Sequence, residues 1–375
     1  VKGQKIKTVG ASAPTPPQGD TAPLTPFCAL RGLTVDCRQA MRSKKGSRGA
    51  CLPLWGFGGN APKVLLFIFL FFLAGCGSIA QENERISVVA TIFPQYDWLR
   101  NLIGVEHAYR FELHLLIDNR VDLHSFNPSV SDIARVRGAD ALVYVGGHSD
   151  GWVRDVVRGA PDGLVTMALL PSLGAGWLIM DEVVYCEDCG EVHDFYDFAD
   201  EHVWMSLRRV MILCRVLAGM LVGLAPDLEE AIMDNLATYL AKLEALEAAY
   251  LDMAANAARN AILVADRFPF RYLVLDYGWA SYAAFHGCSA ETEASFATII
   301  NLAERVNALA LHTVLITESA DGAIARTVIE NSHFPNAQVR VLDSIQSVTS
   351  QDVADGITFL GIKENNLIVL REALQ

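Results

Sequence analysis

From Pro226 to Arg259, apolar residues return at three- and four-residue steps: Leu228, Ile232, Leu236, Leu240, Leu243, Leu246, Tyr250 and Met253. That spacing lines one face of an α-helix, and Pro226 stands where a helix start tolerates proline. About 33 residues at ~1.5 Å rise make a rod on the order of 50 Å long. Such a rod exceeds one lobe and suits a rigid connector between two. A coiled coil would need a narrower apolar seam. On both sides of the rod, strand patterns alternate with helix patterns. Before it, strands are expected at 86–92, 109–117, 139–145 and 164–169, with helices over 93–103, 129–136, 151–157 and 203–221. After it, strands are expected at 261–265, 282–286, 313–317 and 338–342. Helices are expected over 290–308 and 322–331 and, in one or two pieces, 350–374, with a helix or turn at 270–277. The expected class is α/β, two similar lobes with mainly parallel sheets joined by one long helix. The lobes fall at 86–221 and 260–375, and the connecting helix at 226–259.

The apolar fraction of 52% is concentrated near the start. Val64–Ala74 is an unbroken apolar run, shorter than the ~20 residues that span a bilayer. Arg42, Lys44, Lys45, Arg48 and Lys63 precede it, and Leu73-Ala74-Gly75-Cys76 ends it. Basic, apolar, then small residues form a secretory signal. The tetrad resembles a bacterial lipobox, which implies lipidation of Cys76 at the start of the mature chain. Residues 1–63 are read as an upstream and basic signal segment, with Met41 a plausible start, and 64–76 as the signal's apolar part and lipobox. The expected location is the extracytoplasmic face of the cell membrane. Beyond Cys76 there are 20 basic and 41 acidic residues, a formal charge of −21. Such a surface repels nucleic acid and attracts cations.

Two histidines stand at element boundaries beside acids: His124 in Val121-Asp122-Leu123-His124-Ser125, after a strand, and His202 in Asp200-Glu201-His202-Val203-Trp204. Strand-to-helix turns at a sheet edge are where α/β proteins place ligands. Imidazoles far apart in sequence are what a metal site assembled from loops requires. Asp181–Glu201 holds nine acidic residues in 21, with Cys186, Cys189 and His193 among them. It reads as a solvated loop first and an auxiliary metal loop second. Cys186, Cys189, Cys214 and Cys288 permit two disulfides.

From about Ile86 onward the chain resembles the substrate-binding lipoproteins of zinc and manganese ABC importers. The resemblance rests on Val88–Tyr96, Val121–His124 followed by Pro128–Ile133, Ala139–Tyr144, Glu201–Trp204, Leu275–Gly278 and Thr317–Ser319. It implies a monomeric binding protein that captures a divalent metal between the lobes, zinc before manganese, and delivers it to an ABC permease. It implies His124 and His202 as ligands from the first lobe and a carboxylate, Glu318, from the second. Asp321 is a rival to Glu318, and a helix N-terminal carboxylate is the bland reading of Glu318. At the third ligand position stands Arg267, which stays protonated and cannot ligate. Three options follow: the adjacent Asp266 ligates instead, Arg267 pairs with a carboxylate, or the cargo is not a bare metal ion. Protonation of the two histidines should release metal at acidic pH.

The rival class is an enzyme. Gly147-His148-Ser149-Asp150-Gly151 matches a G-x-S-x-G nucleophile turn between strand and helix, with His312 or His333 as base and Asp276 or Glu318 as acid. The motif fixes only three residues, and the same stretch is the expected strand-to-helix turn at the cleft. A thiol oxidoreductase at Cys186 and Cys189 is disfavoured because neighbouring acids raise the thiol pKa.

Overall fold

The computed structural model describes residues 85–118, 120–180, 198–285, 287 and 294–375. Ile86–Ala90 forms β1, whose last three residues are fully buried. That burial marks a strand covered on both faces. It is followed by α1 (Phe93–Ile103), β2 (Phe111–Leu115), α2 (Val130–Arg137), β3 (Ala141–Tyr144), α3 (Gly151–Arg158), β4 (Val165–Ala168), α4 (Leu169–Leu173) and α5 (Leu207–Leu224). The four strands lie in the order β2-β1-β3-β4, and every neighbouring pair is parallel. Parallel neighbours require helical crossovers, which the intervening helices supply.

α6 (Glu229–Ala255) is the long helix, entered through a single 3-10 turn at Pro226–Leu228. It buries Ile232, Leu236, Leu243, Tyr250 and Met253, the stripe expected from the spacing. The second sheet comprises β5 (Ala261–Val264), β6 (Ala280–Ala283), β7 (Thr313–Ile316) and β8 (Gln338–Val341), with α7 (Arg271–Tyr277), α8 (Phe296–Ala308) and α9 (Ala323–Glu330). Its order, β6-β5-β7-β8, repeats the first, again all parallel. In each sheet the strands added on either side of the first lie in opposite directions across the sheet, so the order of winding reverses between the two central strands. The loops beyond the strand ends part there and open a crevice.

α10 (Ser350–Ala354) and α11 (Phe359–Ala373) close the described chain. α11 crosses back to the first lobe. Phe359 meets Trp98 of α1 edge to face at 5.4 Å, and its backbone N–H donates to Asp97. The buried Lys363 ammonium donates to the Met205 carbonyl at 2.7 Å. One hydrophobic core therefore runs from β1 and β3 through α6 to β5, β7 and α11. Among the described residues no helix is long and apolar enough to cross a membrane.

Some element ends differ from the sequence reading. The strand expected at 109–117 begins only at Phe111, because Val105–Arg110 winds into 3-10 turns. The helix expected from Val203 is first a 3-10 turn; Ser206, accepting the Arg209 amide, starts α5 proper. β6 lies at Ala280–Ala283 rather than 282–286, and α8 starts at Phe296, capped by Ser295.

Candidate metal centre

His124, Asp266 and Glu318 sit beyond the carboxyl ends of strands. His124 lies on a 3-10 turn, Leu123–Ser125, that follows β2. Asp122 holds this turn by accepting the Ser125 amide at 3.0 Å. His202 precedes another 3-10 turn, Val203–Met205, leading into α5. The fold brings the two rings together: their Nε2 atoms are 3.2 Å apart, with centroids at 5.1 Å.

Each imidazole is held from behind by a buried carboxylate. Asp200 accepts from the His202 Nδ1 and from the His202 amide, both at 2.9 Å. Glu201 lies 3.2 Å from the His124 Nδ1. Its two oxygens also receive the Ser149 amide at 2.8 Å and the Ser149 hydroxyl at 2.6 Å. The same Ser149 oxygen is 2.8 Å from the His124 Nδ1. Burial alone would raise the Glu201 carboxyl, but the hydrogen bond and charge of His124, with Ser149, outweigh it and hold it below the ordinary range. Asp200 is held low in the same way, by His202 and then Arg271, against its burial.

Ionised carboxylates only accept, so each imidazole carries its proton on Nδ1. In the neutral form of both rings each Nε2 then directs its lone pair toward the other, a geometry that a shared cation can take up. Zn–N bonds of ~2.0–2.1 Å at a tetrahedral angle set two nitrogens about 3.3 Å apart. The observed separation fits that distance. The carboxylate behind each ring is the outer support that metal-binding histidines use.

Ser149, the nucleophile of the hydrolase reading, here gives its hydroxyl proton to Glu201. His312 and His333 lie elsewhere, the first ahead of β7 against Phe334 and the second with its amide on Asn307. Gly147 serves the support as well, since a Cβ there would collide with the Glu201 carboxylate. Next to it, Asp150 is buried and accepts the Val145 and Gly146 amides through one oxygen. Burial pushes its carboxyl up to about 7, with the Glu201 charge adding to the rise.

From the second lobe, Glu318 follows β7, and the loop after β8 takes up both its oxygens. The Ser344 amide donates at 2.8 Å, the Ser344 hydroxyl at 2.8 Å and the Gln346 amide at 3.2 Å. Asp321 accepts the Ala323 amide at the start of α9, so the helix N-terminal carboxylate is Asp321. Asp266, after β5, accepts from the Thr317 hydroxyl and, at 3.4 Å, the Thr317 amide. Arg267 pairs with Asp122 at 2.7 Å and reaches Ser319 at 3.4 Å. Of the three options the sequence offered for Arg267, the fold realises the carboxylate pair. Burial would raise Asp122, and the Arg267 hydrogen bond and charge bring it below the usual carboxylate range. Asp122, Arg267, Thr317, Glu318 and Ser344 line one cavity of about 60 Å³, room for a few waters rather than an organic cofactor.

Among the described residues, no three of His, Cys, Asp or Glu converge as a complete metal cage. The histidine pair converges, and Glu318 and Asp266 are engaged within their own lobe. Cys76, Cys186, Cys189, His193 and Cys288 lie outside the described residues. Cys214 is a free, buried thiol in α5, and burial pushes it above its ordinary range.

Two α/β lobes with their strand ends turned to a shared cleft, and paired imidazoles at that cleft, define a two-lobed binding protein. The profile of the family described as zinc-uptake complex component A, periplasmic (ZnuA), matches residues 88–373, and the chain belongs to that family. It is similar to the zinc-binding lipoprotein AdcA of Streptococcus pneumoniae, 27% identical over 82% of this chain and 60% of that protein. The chain thus spans about three-fifths of that relative's length. It is also similar to the high-affinity zinc uptake system protein ZnuA of Bacillus subtilis, 24% identical over 80% of this chain and 90% of that one. The crystal structure of the Zn(II)-bound ZnuA-like domain of Streptococcus pneumoniae AdcA superposes with a TM-score of 0.61. It is 25% identical and covers 77% of this chain and 99% of that domain.

Proposed function

We propose that this protein captures a zinc ion between its lobes and passes it to the permease of an ABC importer, with manganese the second choice of cargo. It acts outside the cytoplasm, tethered by lipid on Cys76, and makes no bonds. His124 and His202 supply the first two ligands. Glu318 or Asp266 supplies a carboxylate once its present partners release it. The lobes are 86–221 and 260–375, joined by 226–259.

The observation that carries this reading is the pair of Nε2 atoms facing one another at 3.2 Å, each ring fixed by a buried carboxylate. Neutral imidazole with carboxylate suits zinc; a site richer in carboxylate would turn toward manganese. The zinc in the names of the family and of the relatives supports the same choice. The test is elemental analysis and metal titration of the purified protein beside a His124→Ala, His202→Ala double variant. One equivalent of zinc in the first and none in the second is the expected result. No zinc in either sinks the reading.

A further inference from the structure

The second lobe reaches the histidine pair by a route that no ligand position accounts for. Arg267 and Arg271 are four residues apart, the first in the loop after β5 and the second opening α7. The Arg267 guanidinium bonds Asp122 at 2.7 Å, and the other oxygen of Asp122 caps the turn that carries His124. The Arg271 guanidinium contacts one oxygen of Asp200 at 3.4 Å, and the other oxygen holds the Nδ1 of His202. Tyr272, beside Arg271, donates to the Asp200 carbonyl at 2.9 Å and accepts the Ile179 amide. Asp122 thus holds the turn that carries His124, Asp200 holds the His202 ring, and each aspartate meets an arginine of the opposite lobe.

We propose that Arg267 and Arg271 are positioning residues, through which the second lobe fixes His124 and His202 for metal by the bridges Arg267–Asp122 and Arg271–Asp200. The proposal rests on the zinc-binding reading above. It makes the histidine pair depend on the docking of both lobes, although both histidines belong to one. It also explains how two cations are tolerated beside a cation site: each is neutralised by the aspartate it orients.

The sign of the effect decides the matter. A guanidinium that acted only as a nearby positive charge would repel zinc, and its removal would tighten binding. A positioning residue gives the opposite result. Zinc affinity of the full chain is to be measured by chelator competition for Arg267→Ala and Arg271→Ala. Each is expected to bind about 10- to 100-fold more weakly, the loss usual for outer supports of metal ligands. Arg267→Lys keeps the single-nitrogen pair and should recover most of that loss. Asp122→Asn combined with Arg267→Ala should lose no more than the larger single loss, since both cut one bridge. Long-range proton–nitrogen spectra of the zinc-free protein should show the His202 ring with Nδ1 protonated, and a mixture in Arg271→Ala. Unchanged or tighter binding in both Ala variants, with the ring pattern preserved, overturns the inference while leaving zinc binding intact. A wild-type chain that binds no zinc removes both readings together.

Discussion

At the scale of single residues, the site depends on groups that touch no cargo. Gly147 leaves the space into which the Glu201 carboxylate fits. Gly147→Ala is expected to displace Glu201, release His124 and weaken zinc binding about tenfold or more, read by chelator competition. Asp150 gives a pH signature of its own. Its carboxyl sits near 7 in the fold against about 3.9 when unfolded. The fold therefore favours the protonated form. The stabilisation is complete below about pH 4 and drains away as pH rises through 7, by up to a few kcal/mol. Asp150→Asn cannot ionise, so its unfolding free energy in urea should gain on the wild type between pH 5 and 8. Were the two curves parallel, Asp150 would not be the titrating group. His124 and His202 were legible from the sequence, because each stands in a short turn beside acids. The partners behind them were not. Ser149 reaches Glu201 across 52 residues and His124 across 25, and only the fold sets those distances. Glu201, next to His202 in sequence, was the available signal; it read as part of an acidic run. Ser149 drew notice for its surrounding glycines, and the structure gives it a supporting contact.

At the scale of elements, α6 is the clearest product of the sequence. Its buried stripe follows the apolar spacing, and Leu243 at its middle is fully buried. Leu243→Ala should cost about 2–5 kcal/mol through lost burial and the cavity left behind, read as a lower urea midpoint with unchanged slope. A loss below about 0.5 kcal/mol, the level of a surface substitution, would place Leu243 outside the core. Strands and helices were legible because two periods, two and 3.6, separate them. Their ends were less so. Ser206 restarts the helix after Val203–Met205 because its hydroxyl takes the Arg209 amide, and the preceding apolar residues hide that stop. Glu318 shows the same limit at a loop. Its partners Ser344 and Gln346 come from the loop after β8, which no local pattern ties to β7.

At the scale of the whole molecule, two sheets of the same order share one core, and α6 and α11 both pack into it. Ion pairs join the lobes beside the cleft, Arg267–Asp122 and Arg271–Asp200, and deeper in the core Arg209–Asp276. Opening the cleft widely would break those pairs and expose core surface. X-ray scattering of zinc-free and zinc-loaded protein should therefore give nearly the same radius of gyration. A rotation of tens of degrees between the two states would refute this. The repeat of element order was legible in the sequence. The return of α11 to α1 was not, since an amphipathic helix does not record which partner it will meet.

That return has a consequence in time. Asp97 and Phe359 are 262 residues apart in sequence and bonded in the fold. While the chain is being made, the Phe359 ring against Trp98 and its N–H bond to Asp97 are absent until residues 359–373 exist, so this part of the α1 packing is completed late. Contacts of such long range slow folding. The segment that completes the packing of α1 is thus the last of the described elements to be made.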